Sequence, residues 1–200
     1  ASVLAWRPRH VHLFEPVPRY YDELREQWRH RGYRNLTLHA YGLGRHSQAA
    51  PLVVSGGSSS TFEQLHFSAN RIYLDSIGDG HWRKDRERVT VEIRAAQEVW
   101  HELGIDSLAL LSLNCEGCEY EVLPNLAGAG LLGRVGALLV QMHTVLTGAE
   151  ARVCERASGT CRAEATFAAV ERYCNLSAVL SRTHRRAYGL PFSAFELWEP

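Results

Sequence analysis

The chain has 200 residues, 46% hydrophobic and 22% charged, the range of a globular chain with one sizeable core rather than a disordered or fibrous one. Its 22 basic and 22 acidic side chains cancel, so no overall field draws it to nucleic acid or to an anionic membrane, and neither is expected as a partner. No apolar run approaches the roughly 20 residues that cross a bilayer, and "ASVLAWRPRH" is too short and too polar for a secretory signal.

From His10, "HVHLFEP" alternates and ends in Glu15 and Pro16, which predicts a short strand closed by a pair that cannot extend a ladder. His10 and His12 share one face of it, but two ligands without a third do not make a zinc site, and no metal is expected. "PRYYDELREQWRHRG" carries Tyr21, Leu24 and Trp28 at helical spacing, with Gly32 placed to stop the helix. A second strand is predicted at Leu36 to Ala40, followed by glycines, and a third extended piece at "APLVV" before a flexible Ser-rich loop, "SGGSSST". That loop lacks the Gly-Lys pair that grips nucleotide phosphates.

Residues 67–90 are polar and aromatic without a clear period and read as irregular. Ala96, Val99, Trp100 and Leu103 mark a helix stopped by Gly104, and "SLALLSLN" is a strand apolar on both faces, as a central parallel strand should be. A helix follows from about Glu119, with Val122, Leu123 and Leu126 on one side and Pro124 expected to restart it. "VGALLVQM" is another two-faced strand, and residues 144–162 read as a loop insertion. Phe167, Val170 and Cys174 mark a last helix, with "SAVLSRTH" and "FSAFELWE" as two closing strands.

This alternation predicts a single α/β domain over residues 1–200, with a mostly parallel sheet, helices on both faces and an antiparallel hairpin at its C-terminal edge. Right-handed crossovers put the carboxyl ends of the parallel strands on one side, where such sheets bind ligands. Glu15, Gly42 with Gly44, Asn114 to Gly117, and Gln141 to His143 are expected there. An acidic residue closing the second strand of a Rossmann-like sheet can accept both ribose hydroxyls of an adenosine cofactor, and Glu15 fits that role.

Five cysteines are too few for a disulfide scaffold. Cys115 and Cys118 form a C-x-x-C that opens a helix after a strand, as redox sites do, but carry Glu-Gly between them and lack the second pair of a zinc site. A redox role is the minority reading. Cys154 and Cys161 flank a Gly-containing loop and could pair in an oxidising compartment.

"FEPVPRYYDEL", "AYGLG", "GGSSST", "LLSLNCEGCEYEVL" and "VQMH", in this order and spacing, resemble the FkbM-type methyltransferases that use S-adenosylmethionine. The resemblance covers about residues 11–143 and rests most on the C-E-G-C-E-Y-E-V-L block. It implies a class I methyltransferase fold, bound S-adenosylmethionine, and methyl transfer to a hydroxyl oxygen of a sugar, glycan or other small-molecule natural product. By position it implies that Glu15, Pro16, Gly42, Asn114 and Cys115 line the cofactor, and that Asn114, Glu116 and His143 stand at the reaction. Such a fold begins with a strand and a Gly-rich loop, which nothing before Glu15 offers; "ASVLAW" reads as the tail of the helix after them, so both are expected to be missing.

Three positions depart from the family pattern: Ser112 stands for its Lys, Asn114 for its Asp and Gln141 for its Glu. An amide cannot act as a general base at neutral pH, which leaves Glu116 and His143 as proton acceptors. It also leaves open a catalytically degenerate binding module on the same fold. A dinucleotide-dependent oxidoreductase would need a Gly-x-Gly turn before Glu15.

Overall fold

A computed structural model describes residues 8–32, 34–55, 58–60, 86–115, 117–143, 161–189 and 195–200. β1 (Val11–Phe14) leads into α1 (Pro18–Arg29), and β2 (Leu36–His39) returns parallel to β1 with Val11 opposite Leu36. Pro18 opens α1 at a position that has no intrahelical use for an N–H. Tyr21, Leu24 and Trp28 are half-buried while the residues between them are exposed, the stripe that their spacing predicts.

β3 (Gly42–Gly44), β4 (Gln48–Ser55), β5 (Ser58–Ser60) and β6 (Arg86–Ala95) make a second sheet in the order β3-β6-β4-β5. Ala50 and Leu52 of β4 lie opposite Val91 and Val89 of β6, and with Val54, Ile93 and Val17 they form a small core. Two expectations change here. The last five residues of the segment expected to be irregular, 86–90, open β6, whose alternation Val89, Val91, Ile93 continues beyond it and which pairs along the whole of β4. Ser58–Ser60, expected in a flexible loop, is a strand antiparallel to β4.

α2 (Ala96–Glu102), β7 (Leu111–Leu113), α3 (Glu119–Gly128), a 3-10 turn (Leu132–Arg134), β8 (Leu138–Val140), α4 (Cys161–Leu180), β9 (Arg185–Tyr188) and β10 (Glu196–Glu199) complete the chain. β7 and β8 are parallel, and β10 runs antiparallel between β8 and β9, giving the order β7-β8-β10-β9. The larger core joins Trp100 of α2, Leu113, Val122, Leu123 and Leu126 of α3, Leu138, Val140, Leu176, Leu180 and Trp198. Each such side chain contributes on the order of 1.5 to 3 kcal/mol by leaving water.

The closing antiparallel pair is present, but its first strand is Arg185–Tyr188. "SAVL" is the last turn of α4, because Tyr173, Leu176 and Leu180 lie three and four residues apart and bury together against the core. Pro124 sits inside α3 rather than restarting it. The expected single, mostly parallel sheet is resolved among the described residues as three sheets, with three parallel pairings and four antiparallel ones. The antiparallel excess comes from the β4–β5–β6 meander and from β10.

Candidate functional site

Glu15 is the first residue past β1. Its N–H donates to the His39 carbonyl at 3.0 Å, continuing the ladder by one bond, and its Oε1 accepts the Val17 N–H at 2.8 Å. The carboxylate thus supplies an acceptor at the entry to α1, where backbone N–H groups lack helical partners. Burial pushes its pKa above the usual carboxylate value, opposed in part by the Val17 bond. Pro16 and Gly42 meet beside it: a Cβ on Gly42 would fall 3.3 Å from Pro16 Cγ and 2.8 Å from Ile93 Cδ1. A side chain at 42 would therefore have to displace the Ile93 methyl and press on Pro16.

The second group forms at the ends of β7 and β8, which lie in register with Leu113 opposite Val140. Asn114 is exposed just past β7, and the Gln141 N–H donates to the Leu113 carbonyl at 2.9 Å. Cys115 and Cys118 are joined as a disulfide around a turn whose Gly117 has φ 115°, a value that side-chain-bearing residues rarely adopt. Glu116 lies outside the described residues.

The centre of this corner is Glu119, fully buried at the start of α3. Its Oε2 accepts the Gly117 N–H at 3.0 Å, and its Oε1 accepts the His143 N–H at 2.7 Å. The same Oε1 lies 3.0 Å from His143 Nδ1. An ionised carboxylate can only accept, so the His143 ring presents Nδ1–H to it. His143 is itself 8% exposed. The neighbouring Tyr120 phenol is pushed up by burial and then by the Glu119 charge, so at neutral pH it is an uncharged donor.

Glu119 opens the helix that the sequence predicts and stands outside the site expected from it. The missed signal is its phase: Val122, Leu123 and Leu126 follow it at three, four and seven residues, so it lies on the buried face of α3. A glutamate there must be met by donors.

The structure thus gathers Glu15, Pro16 and Gly42 in one group, and Asn114, Cys115 and His143 with Glu119 in another. β3 lies between them in the chain of contacts: Leu43 packs on the larger core, and the Arg45 carbonyl accepts the Asn125 side-chain N–H of α3 at 3.0 Å.

On β1 and β2, His39 joins His10 and His12. His12 Nδ1 and His39 Nε2 share a 3.0 Å hydrogen bond, and His39 stacks on Phe14 at 4.7 Å. Among the described residues, no group of three His, Cys, Asp or Glu could hold a metal ion. Cys154 lies outside the described residues, and so does the pairing considered for it. No helix among the described residues is long and apolar enough to cross a membrane.

Comparison with curated proteins and with solved structures found no significant match. A family model described as "Methyltransferase FkbM domain" matches residues 2–171, most of the chain and both groups of site residues. The chain therefore belongs to the FkbM methyltransferase domain family.

Proposed function

We propose that this methyltransferase domain uses S-adenosylmethionine to methylate a hydroxyl oxygen of a sugar or other small-molecule natural product. The observation that carries the reading is the buried Glu119–His143 pair at the adjoining ends of two parallel strands, where open α/β sheets place their chemistry. S-adenosylmethionine, when bound, supplies the methyl group as a sulfonium. The residues present suit it. Val17 engages Oε1 of Glu15 and leaves Oε2 to accept a ribose hydroxyl, with Pro16 and Gly42 shaping the wall.

Asn114 and Cys115 border the donor, His143 faces the acceptor, and Glu116 is assigned a part in the reaction by its place in the family motif alone. His143 takes the proton as the hydroxyl oxygen attacks, and Glu119 orients its imidazole through Nδ1, as a positioning residue. Asn114 can orient a hydroxyl through its amide but cannot remove a proton.

The parallel pairs β1–β2 and β7–β8 each end in a strand, β1 and β7, with an open edge among the described residues. One further parallel strand between them would join them into a single class I sheet and bring Glu15 and Asn114 to one rim.

Calorimetry with S-adenosylhomocysteine tests the reading. Glu15→Ala is expected to weaken binding by roughly 1 to 3 kcal/mol, the worth of charged hydrogen bonds. Affinity in the native chain should fall on acidification, starting above the usual glutamate range because burial raises the Glu15 pKa. Binding indifferent to both would remove Glu15 from the site. The degenerate-module reading is favoured by Ser112, Asn114 and Gln141, and Asn114→Asp separates the two: turnover appearing only in the variant supports it, and turnover by the native chain excludes it.

A further inference from the structure

We propose that Cys115 and Cys118 form a reversible thiol–disulfide site, reduced by a dithiol, that sets how the turn before α3 holds Glu119. The bridge spans a sequence separation of 3, the kind of short loop whose closure removes little entropy from the unfolded chain. Its value as a staple is therefore small. Both cysteines are half-buried, packed on the larger core on one side and open to solvent on the other.

What the bridge does constrain is the turn. Gly117 lies inside the ring it closes and donates to Glu119 Oε2, and Cys115 Sγ lies 3.5 Å from that same oxygen. A disulfide sulfur has no hydrogen to give. A thiol does, so reduction both releases the turn and hands Oε2 a competing donor.

A thiolate of the dithiol attacks Cys115 Sγ, the Sγ–Sγ bond breaks, and Cys118 leaves as a thiolate. Cys118 is the N-cap of α3, where the helix end favours negative charge, whereas a thiolate on Cys115 would face the Glu119 carboxylate. The second thiol of the reductant then attacks the mixed disulfide and releases Cys115. Two electrons and two protons pass to the cysteine pair, and the reductant departs as its own disulfide.

The functional consequence rests on the reading of Glu119 and His143 as the reaction site; the redox couple does not. The whole chain is equilibrated in mixtures of reduced and oxidised dithiothreitol, alkylated and peptide-mapped, so that Cys115 and Cys118 are distinguished from Cys174, an exposed free thiol. Exchange of the Gly117 amide is followed by NMR in the same samples. Cys115 and Cys118 should pass together from untrapped to trapped. The Gly117 amide should exchange roughly five- to tenfold faster once they are reduced, as loss of one hydrogen bond predicts. In Cys118→Ser, exchange should be fast in every mixture; should that variant not fold, the native titration decides alone. Thiols trapped across the whole series, or reduction without a change at Gly117, would overturn the proposal. A working couple in a chain that binds no S-adenosylhomocysteine in either state upholds the redox site and removes only the methyltransferase reading.

Discussion

A carboxylate with no exposed surface persists only where donors surround it, and Glu119 has the Gly117 N–H, the His143 N–H and His143 Nδ1–H. Two of these come from one residue just past β8, so the same contacts that stabilise the charge also fix the imidazole. Glu119→Gln and Glu119→Ala should separate the two effects. The glutamine keeps the volume and one acceptor oxygen but turns an amide toward one set of donors. It should leave the chain folded, lower kcat roughly a hundredfold, the low end of a general base's contribution, and change KM little. The alanine strands buried donors at about 1 to 3 kcal/mol each, which denaturant unfolding would read. A glutamine variant with native kcat and an unchanged His143 ¹⁵N tautomer signature would show that Glu119 serves only the fold.

At the scale of elements, the face shared by β1 and β2 carries a ladder of rings: His10, His12 and Phe14 from one strand, and His39 from the other, leading to Tyr41. The hydrogen bond between His12 and His39 needs one nitrogen to donate and the other to accept, so it survives only while one of the pair is neutral. Burial lowers the pKa of His12, assisted by His10 and His39. Burial also lowers that of His39, with Glu102 opposing and Arg94 and His10 adding to the shift. Folded-state values below the unfolded one mean that this contribution to stability is complete above about pH 6.5 and is lost as pH falls through the folded values. Thermal melts between about pH 8 and pH 5 should show it, and His39→Phe, which keeps the stack on Phe14, should flatten the acid side of the curve. A variant that loses stability as steeply as the native chain would clear the pair.

The same strands show what a sequence can and cannot announce. β1 and α1 were legible because their partners are local: alternation and a 3.6-residue stripe report a face whatever covers it. The end of α4 was not, because "SAVL" satisfies either period over four residues, and only the burial of Leu176 and Leu180 beside Tyr173 decides. β6 hid at the end of a polar stretch, its alternation meaningful only opposite β4. In the candidate site, Glu15 and the C-E-G-C-E corner were legible as strand ends. Glu119 was not, since a glutamate in a first helical turn ordinarily faces water, and the His143 donors that make burial tolerable lie 24 residues away.

At the scale of the whole molecule, the question is how the sheet holding Gly42 is tied to the core holding Glu119. α2 supplies the joint. Its N-cap, Ala95, has no side chain to cap the first turn, so the acceptors come from elsewhere. Ser47 Oγ accepts the Ala95 N–H at 2.9 Å, and Asn125 Oδ1 of α3 accepts the Gln97 N–H at 2.8 Å. The Asn125 amide nitrogen reaches the other way, to the Arg45 carbonyl at 3.0 Å. One side chain therefore caps α2 and holds the end of β3 against α3, linking both cores through groups that no hydrophobic residue could replace. Asn125→Ala removes a cap and leaves a carbonyl without its donor, for an expected loss of about 1 to 3 kcal/mol in denaturant unfolding. Asn125→Asp keeps the acceptor for Gln97 but not the donor for Arg45, so it should recover the capping part alone. Its new charge has Arg45 nearby and Glu121 at i−4, an ion pair already joining those two at 3.9 Å. If the joint matters to function as well as to stability, hydrogen exchange in β3 should rise in both variants while α4 and β10, which the Asn125 hydrogen bonds do not reach, stay protected. Uniform loss of protection would instead mean that the two cores unfold as one unit and that Asn125 is only one of many contacts between them.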